Sequence, residues 1–208
     1  MLKQILTFLG VLGLCACATT RNQLATESAP SQPVSFFVEE HTQAAFKITG
    51  HLDTMTLDGV LTIRQTAQDT YSVTLLAGGL YRVLDVSVSP QEITYYYLFK
   101  DVDNGIVRSR ITQLLDLLLI PPQQYIGTVT KNGNKQIRYK GPRAKEIFFY
   151  NPGQEYPVSS RTITALNTAE LTYRDYMPLS ADGDVLIPHE LVYKDGKITL
   201  DLQLISLR

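Results

Sequence analysis

Few residues in this chain are equipped for chemistry. It holds two cysteines, Cys15 and Cys17, both in the stretch VLGLCACATT and separated by one alanine. A disulfide across a single intervening residue is strained, and no other cysteine exists to complete a zinc site. The three histidines, His41, His51 and His189, lie far apart with no carboxylate at ligand spacing. Asp101 and Asp103 stand together just before a helical pattern, where capping and dipole complementarity account for them. There is no H-E-x-x-H, no G-x-S-x-G, no phosphate loop and no dinucleotide fingerprint. Gly78-Gly79 lacks the glycine spacing and the following helix that cradle a phosphate. The expectation is a protein with no catalytic residues, no metal and no cofactor, whose one chemically marked position lies in LCAC.

The surroundings of the cysteines give them a meaning. Lys3 supplies a positive start, Ile5 to Leu14 a short apolar run, and Ala16 and Ala18 small residues, the pattern of a secretory signal peptide. The run is shorter than the roughly 20 residues that span a bilayer. Leu14-Cys15-Ala16-Cys17 resembles the lipobox of bacterial lipoproteins, with leucine at the third position before the modified cysteine and a small residue directly before it. Cys17 fits that pattern, whereas Cys15 would have Leu14 where the small residue belongs. The resemblance implies that residues 1–16 are cut away, that the Cys17 thiol takes a diacylglycerol, and that its new amino terminus is acylated, as with palmitate. Two or more chains hold a protein stably at a membrane where one holds it marginally. Ala18 follows the cysteine where aspartate would signal inner-membrane retention, so the resemblance implies the periplasmic face of the outer membrane.

Charge narrows the partners. Nineteen basic and twenty acidic residues leave a net charge of −1, which argues against a nucleic-acid ligand, since that calls for a basic patch or stripe. The chain, at 44% hydrophobic content, suffices for one substantial core and is read as one domain and a monomer. Twelve tyrosines and seven phenylalanines with no tryptophan make the apolar inventory unusually aromatic.

The elements that would position these residues are mostly strands. Residues 17–44 open with the lipidated cysteine and a Ser-, Thr-, Gln- and Pro-rich tether, with a possible first edge element at Val34, Phe36, Phe37 and Val38. Residues 45–208 are expected to form a single β domain. Phe46 and Ile48, then Val60 to Arg64, then Tyr71, Val73 and Leu75 alternate with polar neighbours, bounded by turn-prone pairs at Asp58-Gly59, Gln68-Asp69 and Gly78-Gly79. Leu80, Leu84, Val86 and Val88 would share one face of the next strand. ITYYYLF, Ile93 to Phe99, is apolar on both faces, which predicts a strand covered on both sides or one whose inner side, with Tyr95, Tyr97 and Phe99, lines a cavity. One segment breaks the period of two. Behind Asn104, a candidate N-cap, Val107, Ile111, Leu114, Leu115 and Leu118 recur at helical spacing up to Pro121-Pro122. Leu117, Leu119 and Ile120 widen the apolar arc beyond a one-sided surface helix. Either this helix packs into the concave face of the sheet, or its surplus leucines line a cavity or form a movable lid. Further strands come after the prolines, with a break near Asn167 and a last hairpin at Asp195-Gly196.

The order of these elements resembles the LolA/LolB fold of lipoprotein carriers. The residues that carry the likeness run through GVLTIRQTAQDTYSVTLLAGGLYRVLDVSVSPQEITY, the leucine-rich helix, and the hairpin IPHELVYKDGKITLDL. The resemblance implies a mainly β fold, a curved antiparallel half-barrel with a leucine-rich helix closing its concave face. It implies a hydrophobic ligand, meaning an acyl chain, a lipid or a lipoprotein, and a role in lipoprotein localisation. Leu80, after Gly78-Gly79, is the position matching an exposed leucine on a loop between two early strands of that family. The contrasting expectation is a non-catalytic assembly lipoprotein with a fully packed core, held to a partner in an envelope machine through its edge strands.

Overall fold

The structure is a computed structural model that describes residues 36–37, 42–52, 55–165, 167–179, 185–196 and 198–208. The signal peptide, Cys15, Cys17, the tether, Val34, Val38 and His41 lie outside the described residues.

Among the described residues five strands precede one helix and seven follow it: β1 (Gln43–Leu52), β2 (Met55–Ala67), β3 (Thr70–Ala77), β4 (Tyr81–Val88), β5 (Ile93–Leu98), α1 (Gly105–Leu119), β6 (Gln124–Lys131), β7 (Asn134–Lys140), β8 (Lys145–Tyr150), β9 (Ser159–Ile163), β10 (Thr168–Pro178), β11 (Leu186–Asp195) and β12 (Ile198–Leu207). All twelve strands join one open, curved antiparallel sheet in the order β5-β4-β3-β2-β1-β12-β11-β10-β9-β8-β7-β6. Sequence neighbours pair as hairpins, and β1 pairs with β12, so the first and last strands meet at the centre. The two edge strands, β5 and β6, are therefore consecutive in the chain and joined through α1.

Strict alternation explains which face is buried. In β2 and β3, Leu57, Leu61, Ile63, Tyr71, Val73 and Leu75 point inward while their neighbours are partly or fully exposed. With Phe46, Ile48, Val86, Leu171, Tyr193 and Leu200 they form one apolar cluster. Phe36 joins it, 2% exposed, with its ring edge-on to Phe46 at 5.4 Å; no strand or helix forms at Phe36 and Phe37. The expected break near Asn167 separates β9 from β10.

One turn expectation and one strand-face expectation are corrected. Asp58-Gly59 lies inside β2, opposite Thr49 and Ile48 of β1. Its glycine answers to crowding and not to a turn, because a Cβ there would stand 2.2 Å from the carbonyl oxygen of Leu76. Leu80 is not the first residue of a strand face. Gly78 and Gly79, with φ of 56° and 72°, turn the chain, the Leu80 N–H donates to the Ala77 carbonyl at 3.2 Å, and β4 begins only at Tyr81.

Candidate functional site

The helix is built to be swallowed by the sheet. The Asn104 side chain accepts hydrogen bonds from the N–H groups of Ile106 and Val107 at 3.1 and 3.0 Å, satisfying two donors that no helical carbonyl can reach. The first turns bury one side only: Val107 and Ile111 are buried while Ile106, Arg108 and Ser109 are exposed. From Gln113 to Ile120 every residue is buried, and the helix then stops before Pro121, whose ring cannot continue it. Leu114, Leu115, Leu117, Leu118 and Leu119 belong to the same cluster as the inner faces of β1 to β4 and β10 to β12. The wide leucine arc is thus covered on all sides.

β5 meets the helix with one face. The Tyr95 hydroxyl donates to the Arg108 carbonyl at 2.9 Å and lies 3.3 Å from Thr112 Oγ1. The Arg108 guanidinium stands 4.8 Å above the tyrosine ring, and burial raises the Tyr95 pKa. Phe99 packs half-buried against the main cluster. Tyr97 is a correction. Val86 faces Tyr95 but Asp85 faces Tyr97, a bulge that takes up Tyr96 and reverses the alternation. Tyr97 is consequently turned outward, 41% exposed, and Leu98 occupies the inward place. The strand is covered on one face, as an edge strand of an antiparallel sheet can be. Leu80 and Tyr81, 83% and 75% exposed, form the tip of the β3–β4 hairpin. That tip is at the same end of the sheet as the start of α1, because β5 runs antiparallel to β4 and ends beside its beginning.

Polar side chains pin α1 at three places. Near its C-terminus, the Arg143 guanidinium grips both carboxylate oxygens of Asp116 and donates to the carbonyls of Ser89 and Pro90 at 3.2 and 3.3 Å. One side chain therefore ties the β7–β8 turn to the helix and to the β4–β5 turn. At mid-helix, the Asn167 amide donates to Gln113 Oε1 at 3.3 Å and to Asp195, while the Tyr193 hydroxyl is shared between the Arg110 carbonyl at 3.1 Å and Asp195 at 3.3 Å. At the N-terminus Arg108 pairs with Asp103 through two hydrogen bonds. Asp116 is 3% exposed, and burial raises its pKa against the opposing pull of Arg143. Glu146 on β8, 1% exposed, is pushed up to about 8 by burial and by the charge of Asp116, a shift that favours its uncharged form.

Register shows what lies around Glu146. It faces Tyr139 on one side and Thr162 on the other, and Thr162 faces Ala169 of the main core. The adjacent row is Ile137, Phe148, Ser160 and Leu171. These residues all stand on the concave face. Its β1–β5 half is aliphatic and aromatic, whereas its β7–β9 half mixes a second apolar cluster, Ile137, Tyr139, Phe148 and Tyr150, with Glu146, Ser160 and Thr162.

A twelve-stranded curved sheet with one helix in its concavity has counterparts among solved structures. A LolA superfamily protein from Nitrosomonas europaea superimposes with a TM-score of 0.56 at 9% identity, over 83% of this chain and 87% of that one. The fold is LolA-like. Weaker likenesses are to an outer membrane lipoprotein-sorting protein domain from Vibrio parahaemolyticus, with a TM-score of 0.45 at 8% identity over 81% and 84% of the two chains, and to a DUF1329 family protein from Desulfovibrio piger, at 0.43 and 8% over 82% and 86%. No family model matches the sequence, and no curated protein matches it. Within the LolA-like fold, Tyr95, Phe99, Ile111, Leu114, Leu115 and Leu118 are brought to the helix–sheet interface, while Leu80 and Tyr97 are not. Sequence reading missed the polar residues of that interface. Asp116 interrupts a run of leucines, and Glu146 has the same parity as Phe148 and Tyr150, so both carried a signal; Arg143, in a turn, carried none.

Proposed function

We propose that this LolA-like protein is held at the periplasmic face of the outer membrane through lipidated Cys17 and binds a hydrophobic ligand between α1 and the concave face of the sheet. The ligand class is an acyl chain, a lipid or the acyl part of a lipoprotein, and the role is carriage or localisation without catalysis. The observation that carries the reading is the helix. It presents leucines over a wide arc from Leu114 to Leu119, broken by Asp116, it connects the two edge strands of the sheet, and polar contacts pin it. Displacing it uncovers a contiguous apolar face, which is what a carrier of acyl chains needs. The exposed pair Leu80 and Tyr81 supports the reading as an apolar tip at the end of the sheet where the helix begins.

Native mass spectrometry of the protein purified from envelopes tests it. Acyl species bound in addition to the covalent anchor, and uptake of a fluorescent fatty acid, are the expected results. A ligand-free mass with no uptake overturns it in favour of an assembly lipoprotein whose core is permanently packed.

A further inference from the structure

The concave face contains two hydroxyls with nothing to bond to. Tyr139 Oη and Thr162 Oγ1 are buried without a hydrogen-bond partner among the described residues; the two residues are 4% and 0% exposed. A third such atom, Arg138 Nε, belongs to the opposite face of β7. Leaving a buried hydroxyl unpaired destabilises a fold, and replacing it by an apolar group of the same shape is neutral or favourable. Two of them in one row, with a third hydrogen-bonding group between, call for a reason other than stability.

We propose that the cross-strand row Tyr139, Glu146 and Thr162 is the polar end of the ligand site and receives the uncharged carbonyl of an ester-linked acyl chain. The inference rests on the reading of the concave face as a hydrophobic-ligand site and names the chemistry of that ligand's head. The three residues come from β7, β8 and β9 in direct register, so they stand side by side on adjacent strands of the concave face. Tyr139 is oriented by its ring, edge-on to Tyr125 at 5.9 Å and to Phe148 at 5.7 Å. Glu146 is accommodated by Gly141, where a Cβ would fall 2.1 Å from its Oε1. The neighbouring row of Ile137 and Phe148 supplies an apolar wall for the chain.

Charge decides between ester and anion. Asp116 on the helix, Glu146 itself, and Tyr173 on β10 are the acidic groups that face this position. Arg143 is the one cation that faces it among the described residues, and Asp116 and two backbone carbonyls already occupy its donors. A carboxylate or phosphate would be buried there without a free counter-charge. An ester carbonyl accepts from hydroxyls and from a protonated carboxyl without that penalty.

The test uses the purified full-length protein, N-phenylnaphthylamine as a reporter of the apolar site, and displacement by methyl laurate, tridecane and laurate. Methyl laurate and tridecane are both uncharged and differ in the ester. The wild type is expected to take methyl laurate about tenfold better than tridecane, with laurate the weakest of the three at neutral pH. In the pair Tyr139→Phe and Thr162→Val the ester preference is expected to vanish while tridecane binds as before, and the melting temperature is expected to hold or rise. Equal displacement by methyl laurate and tridecane in the wild type overturns the inference and leaves hydrophobic binding standing. So does an ester preference that survives both substitutions, or a fall in melting temperature that marks the hydroxyls as structural. Failure of the reporter to bind the wild type overturns the inference and the proposed function together.

Discussion

At the scale of single residues, the site is governed by how far burial can push a charge. Glu146 has an ordinary value of 4.5 and is raised to about 8 in the fold. Between those values the folded protein keeps a proton that the unfolded chain has released, so stability falls as pH rises across that window and is level above it. The buried Asp116 is shifted in the same direction. Urea unfolding between about pH 5 and about pH 8 is expected to show a loss on the order of a few kcal/mol, and Glu146→Gln to remove most of that slope. A slope unchanged in the variant would mean that Glu146 is ionised in the fold. Arg143→Ala leaves Asp116 buried without its partner, a loss of about 3 kcal/mol or more, whereas Arg108→Ala at the exposed Asp103 pair is expected to change stability little. Glu146 is legible in the sequence as a polar residue at an inward position, but its neutral state is not. That state depends on Asp116 and on strands far away in the chain.

Elements show a sharper division between what pattern predicts and what packing adds. α1 is readable end to end: Asn104 caps it, leucines recur at helical spacing, and Pro121 ends it. Asn104→Ala is expected to cost about 1 kcal/mol, and Leu115→Ala, at a residue 1% exposed, about 2 to 5 kcal/mol, both measured by chemical denaturation. A loss at Leu115 as small as that at Asn104 would show that the helix is loosely held. The strands are readable by alternation wherever alternation is unbroken. β5 departs from its pattern because one bulge at Tyr96 exchanges the faces of Tyr97 and Leu98, and a slip of one residue is invisible to composition. Asp58-Gly59 departs from the turn its residues suggest because a glycine required by a neighbouring strand's backbone and a glycine required by a turn are spelled alike. Gly59→Val is therefore expected to weaken the β2–β3 pairing through the clash with Leu76. Faster amide hydrogen exchange in β3 is the expected sign, and unchanged exchange there would count against the clash.

On the scale of the whole molecule, location and fold are separable. Cys17→Ser is expected to move the protein from the outer-membrane fraction to a soluble or unprocessed form, with Cys15→Ser leaving the anchoring intact; cell fractionation reads both, and the reverse pattern would assign the anchor to Cys15. The sequence by itself determined the lipobox likeness, the class of the fold, the position of the helix and the inward parity of most strands, because each is written in local spacing of apolar, small and turn-forming residues. Only the tertiary structure decided that β1 meets β12, that the two edge strands are bridged by α1, and that Arg143, Asp116, Glu146, Tyr139 and Thr162 share one end of the concave face. Those juxtapositions join residues separated by tens of positions, and their partners are chosen by strand register and curvature, which no local spacing records.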